Sequence, residues 1–300
     1  MKLATILTGD GPRTAVVDGE EVIDLSAVAS DIPTDMLSLL EAGDAVFDRI
    51  REAISADVPR RPRAQITLTA PVRPRKFWAI GLNYADHVAE SGLPMPENLP
   101  VFAKATTCVV GPYDDVQRPA VSEMLDYEGE LGFVIGRRCR HVSADEAPGV
   151  IAGYVVVNDF SVRDWQVMTP QWDLGKSFDT HGPIGPWIVT ADELGDPHAL
   201  DLRTYVNGEL RQSSNTRNLI YNCFRQVEII SQACTLEPGD VIATGTPSGI
   251  AAGMEGRPWL TPGDRVRVEI DGIGAIENEI VQEAADGALV RVHVPSQAHA

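Results

Sequence analysis

The chain is predicted to adopt a β-rich α+β fold, and three features of its sequence lead to that prediction. Short apolar runs recur from about residue 76 onward, separated by Gly, Pro, Asn and Asp, as is typical of strands joined by turns. Only one long helical pattern interrupts them, at about residues 217–235. The 300 residues are 44% hydrophobic, which is ample for a large core. So many strands with so few helices argue against a doubly wound parallel sheet.

The chain is predicted to divide into a small N-terminal α/β domain, residues 1–70, and a main domain, residues 71–300. In the first, "KLATILT" and "RTAVVDG" are predicted to form a hairpin around residues 9–11. The run "DMLSLLEAGDAVFDRIREAI", residues 35–54, has the spacing of one amphipathic helix. The basic, proline-rich stretch at residues 55–65 is typical of a link between domains.

In the main domain, the apolar runs are predicted to be strands, the last of them at residues 288–295. Asn207-Gly208 predicts a tight hairpin, because a type I′ turn needs two residues that tolerate positive φ. The long helix is expected to end before "LEPGD", whose proline and glycine stop a helix.

The composition excludes several classes of function. A formal net charge of -18 would repel a phosphate backbone, so we expect no nucleic-acid partner. No segment approaches the roughly 18 apolar residues of a membrane span, and the N-terminal apolar run is too short for a signal peptide. We therefore expect a cytoplasmic protein without membrane contact. The four cysteines form no C-x-x-C pair and are interpreted as ordinary core residues.

Three acidic residues alternate in the stretch "LDYEGELGFVIG", namely Asp126, Glu128 and Glu130. Residues two apart in a strand point to the same face, so these carboxylates would form one row. Neighbouring carboxylates repel each other, and a buried row would need a metal ion or a Lys or Arg between them. An edge strand with a solvated acidic face explains the same spacing, and the stretch alone leaves both interpretations open.

Asp159 and Lys176, which lie further along the chain, could complete a cation site. Asp159 follows the apolar run "GYVVVN" and could join Glu128 and Glu130, although the residues alone favour a turn former or helix cap. Three carboxylates without histidine favour Mg²⁺, Mn²⁺ or Ca²⁺ over zinc. Lys176 in "GKSFDTHG" could neutralise excess negative charge or hold a substrate carboxylate. His181 is expected either to support a residue of the site or to be structural.

The segment "GLNYADHVAESG" is predicted to form a short helix at residues 84–91, capped by Asn83 and ended by Gly92. His87 and Glu90 then share one helix face. A carboxylate beside an imidazole fixes its tautomer, so His87 could act as a general base on water. Glycines at both ends of the segment are typical of a movable lid. An exposed helix with a chance histidine–glutamate pair is the alternative.

Six stretches in this order resemble the fumarylacetoacetate hydrolase family, in its shorter bacterial acylpyruvase-like branch: "GLNYADHVAESG", "PVFAKATTCVVGP", "LDYEGELGFVIG", "VNDFSVRDWQ", "GKSFDTHGPIGP" and "LEPGDVIATGTPSG". The resemblance covers about residues 75–294. It implies a mixed β-sandwich roll, a homodimer, and one Mg²⁺ or Mn²⁺ held by Glu128, Glu130 and Asp159. Ca²⁺ would serve as a crystallographic substitute, and Asp126 stays outside the metal site.

The same resemblance implies roles for six further residues. The implied catalytic residues are His87, Glu90 and Lys176, and the implied substrate-binding residues are Arg163, Gln166 and Thr246. The implied reaction is metal-dependent hydrolysis of a carbon–carbon bond in a 2,4-diketo acid, such as an acylpyruvate or a 2,4-diketo-3-deoxy sugar acid. A small anionic 2-oxo acid is thus the expected partner. Decarboxylation of oxaloacetate, or isomerisation of an unsaturated 2-oxo diacid on the same metal site, remains the alternative.

Overall fold

A computed structural model describes residues 1–284 of the chain, so the strand predicted at residues 288–295 lies outside the described residues. The described part is built mainly from short strands. The strands are β1 (Lys2–Thr8), β2 (Gly11–Asp18), β3 (Glu21–Asp24), β4 (Arg61–Pro62), β5 (Leu68–Thr69), β6 (Phe77–Ile80), β7 (Val101–Lys104), β8 (Val109–Val110), β9 (Val116–Arg118), β10 (Leu125–Asp126), β11 (Gly129–Ile135), β12 (Ile151–Asn158), β13 (Ser161–Val162), β14 (Gly182–Thr190), β15 (Asp201–Val206), β16 (Glu209–Asn215), β17 (Val241–Ala243), β18 (Arg265–Ile270) and β19 (Gly274–Gln282). The helices are α1 (Leu25–Val28), α2 (Met36–Glu41), α3 (Asp44–Ser55), α4 (Ala85–Ser91), α5 (Arg163–Gln166), α6 (Asp173–Lys176), α7 (Ala191–Leu194) and α8 (Cys223–Ala233).

These strands form one large sheet and two smaller ones. The large mixed sheet has 12 strands in the order β4-β3-β2-β1-β14-β12-β11-β17-β6-β7, with β5 beside β1 and β8 beside β14. A second sheet of 5 strands has the order β16-β15-β18-β19-β9, and β10 pairs with β13. The predicted β-rich α+β fold is confirmed.

The N-terminal strands are continuous with the large sheet. Strand β1 pairs antiparallel with β14, with Lys2 opposite Val189 and Leu3 opposite Ile188. The N-terminal segment therefore extends the sheet that carries the later strands, and the domain boundary at residue 70 stays a prediction.

The predicted helix at residues 35–54 is wrong as a single element, because the chain breaks it into α2 and α3. Gly43 lies between the two helices with φ of 74°, a left-handed conformation that a helix interior cannot contain. Asp35 caps the first helix by accepting a hydrogen bond from the Ser38 backbone N–H. Sequence periodicity continued across the glycine because both helices bury residues on the same core.

The predicted long helix at residues 217–235 begins too early. Residues 216–218 form a short 3₁₀ turn, and α8 begins only at Cys223, where Asn222 caps it by accepting from the Arg225 N–H. The hairpin at Asn207-Gly208 is confirmed, with φ of 52° and 81° at these two residues.

Two cores lie on opposite faces of the large sheet, and the central strands alternate between them. On β11, Leu131 and Phe133 enter the core beneath the five-stranded sheet and α8. Val134 on β11, together with Val155 and Val157 on β12, enters the core that packs against α2 and α3. The same alternation determines to which side of the sheet a polar side chain near a strand end points.

All four cysteines are free thiols, and three of them are buried, as the core interpretation predicted. Within residues 1–284, no helix is long and apolar enough to cross a membrane.

Candidate active site

Three carboxylates meet at one end of the central strands. Glu130 lies four residues before Val134 on β11, and Asp159 lies two residues after Val157 of β12. Strand alternation therefore directs both side chains to the face of the sheet that packs against α2 and α3. Ligand oxygens of Glu128, Glu130 and Asp159 all lie within 4.8 Å of one another. The structure therefore brings the three predicted ligands together.

Burial decides between the two interpretations of the acidic stretch. Glu128 is 5% exposed and Glu130 is 1% exposed, and β11 lies between β12 and β17. A solvated edge strand is therefore wrong. The single row of three acids is also wrong, because the strand breaks between Asp126 on β10 and Gly129 on β11. Asp126 instead accepts a 2.8 Å hydrogen bond from Arg163 Nε and bonds to the backbone N–H groups of Ala251 and Ala252.

The donor set fits a hard divalent cation. One oxygen of Glu130 accepts a 2.8 Å bond from the Gly245 N–H, but its other oxygen, Oε1, is buried without any partner in the described structure. Burial, and then the negative charges of Asp159 and Glu128, raise the pKa of Glu130 well above its ordinary value. An Mg²⁺ or Mn²⁺ ion would supply both the missing partner and the missing positive charge.

Two buried lysines surround the carboxylates. Lys176 Nζ donates to Glu128 Oε2 at 2.7 Å and to Asp159 Oδ2 at 2.9 Å. Lys104 Nζ donates to Asp159 Oδ1 at 2.5 Å and also to the backbone oxygen of Lys176. Lys176 was predicted from sequence, whereas Lys104 was missed. Its only signal was a lone lysine inside the apolar run "PVFAKATTCVV", where a charge must find a buried partner.

Arg163 and Gln166 lie on the short helix α5 beside the same carboxylates. Arg163 Nη1 contacts Glu128 Oε1 at 2.6 Å and donates to Gln166 Oε1 at 2.8 Å. Arg163 Nη2 is buried and has no partner among the described residues. Burial raises the pKa of Glu128, but the charges of Lys176 and Arg163 outweigh it and bring that pKa to about 2. Glu128 is thus held as a carboxylate.

The histidine–glutamate pair lies on α4, as predicted. His87 Nδ1 is 3.4 Å from Glu90 Oε2, and His87 is only 7% exposed. One loop connects the dyad to the carboxylates, because the Gly249 N–H donates to Glu90 Oε1 at 2.9 Å and the Gly245 N–H donates to Glu130 at 2.8 Å. The alternative of a chance pair on an exposed helix does not hold for His87, whose side chain is buried although most of α4 is exposed. Gly92 ends the helix in the left-handed conformation, with φ of 70°.

Asn83 does not cap that helix, and this prediction was wrong. Tyr84 occupies the cap position without a side-chain hydrogen bond. Asn83 is buried, and its amide donates to the backbone oxygens of Tyr221 and Thr244 while accepting from the Tyr221 N–H. It ties the start of α4 to two other loops, which a sequence pattern cannot reveal because the partners are more than 130 residues away.

Thr246 and His181 are both buried and are held by protein partners. The Thr246 hydroxyl donates to the Gly129 oxygen at 3.0 Å and accepts from Gln212 Nε2 at 2.8 Å. His181 Nε2 lies 2.7 Å from the Gln117 oxygen, and burial lowers the pKa of His181 to about 3. His181 is therefore a neutral, buried imidazole, which fits its expected structural role.

A buried carboxylate trio beside an acid–base dyad on a β-rich fold defines a site that can hold a divalent cation next to a proton acceptor. The chain belongs to the fumarylacetoacetate hydrolase family: the model described as fumarylacetoacetate (FAA) hydrolase C-terminal matches residues 76–281. The family suggested by the sequence motifs is confirmed.

Relatives with different activities are similar to this chain in sequence and in fold. The mitochondrial oxaloacetate tautomerase FAHD2B of Bos taurus is 42% identical over 276 residues, covering 90% of this chain and 88% of the relative. A maleylpyruvate hydrolase from Sphingobium sp. SYK-6, solved in complex with manganese (II) ion and pyruvate, is 34% identical with a TM-score of 0.80, covering 94% of this chain and 99% of that one. A 5-carboxymethyl-2-hydroxymuconate delta-isomerase from Mycobacterium smegmatis is 35% identical with a TM-score of 0.75, covering 94% and 100%. Tautomerases, hydrolases and isomerases therefore occur on one fold.

Proposed function

We propose that the chain is an Mg²⁺- or Mn²⁺-dependent enzyme that interconverts the keto and enol forms of a 2-oxo diacid such as oxaloacetate. The observation that carries the proposal is a histidine–glutamate dyad that one loop connects to three buried carboxylates. Identity of 42% to an oxaloacetate tautomerase supports the choice of substrate. The family resemblance favoured hydrolysis, with oxaloacetate decarboxylation or isomerisation of an unsaturated 2-oxo diacid as the alternative. Keto–enol tautomerisation is a different reaction from these, and it is closest in kind to the isomerisation.

The chemistry needs one proton acceptor and a stabilised negative charge. A divalent cation held by Glu128, Glu130 and Asp159 would chelate the carboxylate and keto oxygens of a 2-oxo acid and stabilise negative charge on the keto oxygen. His87 Nε2 takes the C3 proton, and the C3–H electron pair becomes the C2=C3 bond. Glu90 holds Nδ1–H and thereby keeps the correct tautomer. The imidazolium returns the proton to the keto oxygen, so no water or co-reactant is consumed.

The surrounding charges favour an anionic substrate. Lys176 and Lys104 place two ammonium groups on the carboxylates, and Arg163 contributes a guanidinium with one free donor nitrogen. These three cations face four carboxylates when Asp126 is included, so a dication would leave one positive charge, which favours an anionic substrate. Lys176 Nζ has three hydrogens and donates to Glu128 and Asp159, and we assign the remaining hydrogen to stabilising the enolate.

Carbon–carbon hydrolysis of a 2,4-diketo acid is the second candidate. It is favoured by the 34% identical maleylpyruvate hydrolase that was solved with manganese and pyruvate, because pyruvate is a 2-oxo acid. In this reaction, His87 would deprotonate a water that attacks the remote carbonyl, and Lys176 would stabilise the departing enolate. The two reactions share every residue and differ in what the base deprotonates.

Product analysis separates the candidates. The protein with Mg²⁺ is incubated with oxaloacetate, with an acylpyruvate and with a 2,4-diketo-3-deoxy acid. We expect faster keto–enol equilibration of oxaloacetate and no carboxylic acid product from the diketo acids. Cleavage of a diketo acid without an effect on oxaloacetate would establish the hydrolase instead, and release of CO₂ would identify a decarboxylase.

The family resemblance also supports a homodimer as a proposal. Light scattering tests it, and a dimer would have about twice the mass of the 32.4 kDa chain. A mass equal to one chain at assay concentration would reject the dimer.

A further inference from the structure

One loop, residues 244–253, touches both halves of the site. On the metal side, the Gly245 N–H donates to Glu130 at 2.8 Å, and Thr246 donates to the Gly129 oxygen at 3.0 Å. Gly249 in the middle of the loop is also held, because its backbone oxygen accepts a 2.8 Å hydrogen bond from the Tyr127 hydroxyl. This part of the loop is therefore anchored on the strand that carries the carboxylates.

The other side of the loop contacts α4. The Gly249 N–H donates to Glu90 Oε1 at 2.9 Å, which leaves Oε2 for His87. The Ser248 hydroxyl donates to Asp86 Oδ2 at 3.0 Å. A carboxylate with one oxygen fixed by a backbone N–H has few orientations left, so the loop decides where Glu90 presents its second oxygen.

Gly253 completes the contact by leaving room for Glu90. A Cβ at Gly253 would lie 2.3 Å from Glu90 Cδ and 2.5 Å from its Oε1, which is closer than atoms can approach. The backbone of Gly253 does not have a positive φ, so an alanine would be tolerated there apart from this clash. Because the opposing atoms end a flexible side chain, the clash would displace Glu90 rather than the loop.

We propose that Ser248 and Gly253 are positioning residues that dock α4 and aim the Glu90 carboxylate at His87, so that one loop sets the distance between the acid–base dyad and the metal ligands. The inference rests on the proposed function for its kinetic consequences. Its structural part concerns only how α4 is held.

The kinetic test is a double-mutant cycle on Gly253 and Glu90. Gly253→Ala should lower kcat for oxaloacetate tautomerisation by about 10- to 100-fold, as is typical when a residue that orients a histidine is lost. The Kd for Mn²⁺, measured by calorimetry, should stay within about twofold of wild type because the trio is untouched. In a Glu90→Ala background, Gly253→Ala should add no further loss. An equal loss in both backgrounds would overturn the role of Gly253.

The structural test is hydrogen–deuterium exchange in α4, which needs no turnover. Ser248→Ala should speed amide exchange in Ala85–Ser91 by about 3- to 10-fold, as loss of one solvent-exposed hydrogen bond implies. Ser248→Thr keeps the hydroxyl and should restore the wild-type rate. Unchanged exchange in Ser248→Ala, or the same rise in Ser248→Thr, would overturn the docking role of Ser248.

Matched controls separate these effects from general damage. Gly149→Ala places its Cβ in open space and should change neither kcat nor exchange in α4. Ser55→Ala removes a hydroxyl that bonds to the Glu52 oxygen on α3, and it should leave amide exchange in α4 unchanged. If wild-type protein shows no activity, the proposed function fails, whereas exchange in Ser248→Ala and Ser248→Thr still decides whether the loop holds α4.

Discussion

Replacing Glu130 by glutamine should stabilise the metal-free protein while weakening its metal site. Glu130 is 1% exposed, its Oε1 has no partner in the described structure, and two other carboxylates lie within 4.8 Å. Glutamine keeps the shape and the acceptor for the Gly245 N–H. Its Nε2 adds two donors facing Glu128 and Asp159, where Glu130 places an unpartnered oxygen.

The magnitude follows from these contacts. An unsatisfied buried polar group costs about 1–3 kcal/mol, so Glu130→Gln should recover about that much in the absence of metal. For a chain of this size, that corresponds to a rise of about 2–6 °C in Tm. The same change removes a charged ligand, so Mn²⁺ affinity should fall at least about 100-fold, beyond the range known for residues that only support a ligand.

Calorimetry measures both effects on one preparation. Thermal unfolding is recorded with EDTA and with saturating Mn²⁺, and Mn²⁺ is titrated into each protein. Wild type should gain more stability from Mn²⁺ than the variant does, because binding to the folded state is a stabilising linkage. A lower Tm for Glu130→Gln in EDTA would refute the claim that the Glu130 carboxylate destabilises the metal-free site. Unchanged Mn²⁺ affinity would refute its assignment as a metal ligand.

Three further changes probe the base, the second lysine and the sheet. His87→Ala should lower kcat by about 10²–10⁴-fold, measured by steady-state kinetics, and leave Mn²⁺ affinity unchanged, because it removes the proton acceptor alone. Lys104→Met should destabilise the fold by about 3–5 kcal/mol in urea unfolding, because Asp159 loses a buried partner at 2.5 Å. Gly132→Ala should cost about 1–3 kcal/mol by the same assay, because its Cβ would lie 2.5 Å from a Val157 methyl carbon. Wild-type kcat in His87→Ala, wild-type stability in Lys104→Met, or a Gly132→Ala cost no larger than that of Gly149→Ala would each contradict its argument.

The sequence predicted which residues gather at the site better than it predicted where the strands that carry them begin and end. Glu128, Glu130 and Asp159 could be grouped because strand periodicity places residues two apart on one face, and because the family resemblance named them. Asp126 belonged to the same pattern and yet faces Arg163, because the strand breaks after it. That break depends on backbone pairing between β10 and β13, which no local pattern encodes.

Long-range contacts explain the remaining errors. Asn83 looked like a helix cap because capping is local, but its amide is used by loops around Tyr221 and Thr244. Lys104 carried only the signal of a lone lysine in an apolar run, since only the fold places it beside Asp159. Gly43 did carry a signal, and the helix prediction failed there because periodicity was given more weight than a glycine.

The decay of enol oxaloacetate tests the central claim most directly. Enol oxaloacetate is added to buffer with Mg²⁺, and loss of its ultraviolet absorbance is followed with wild type, His87→Ala and Glu128→Gln. The account predicts rapid decay with wild type, a rate near the uncatalysed one with His87→Ala, and loss of Mg²⁺ dependence with Glu128→Gln. Wild-type decay no faster than buffer with Mg²⁺ alone, or full activity in His87→Ala, would contradict the claim that the dyad and the carboxylate trio act as one site.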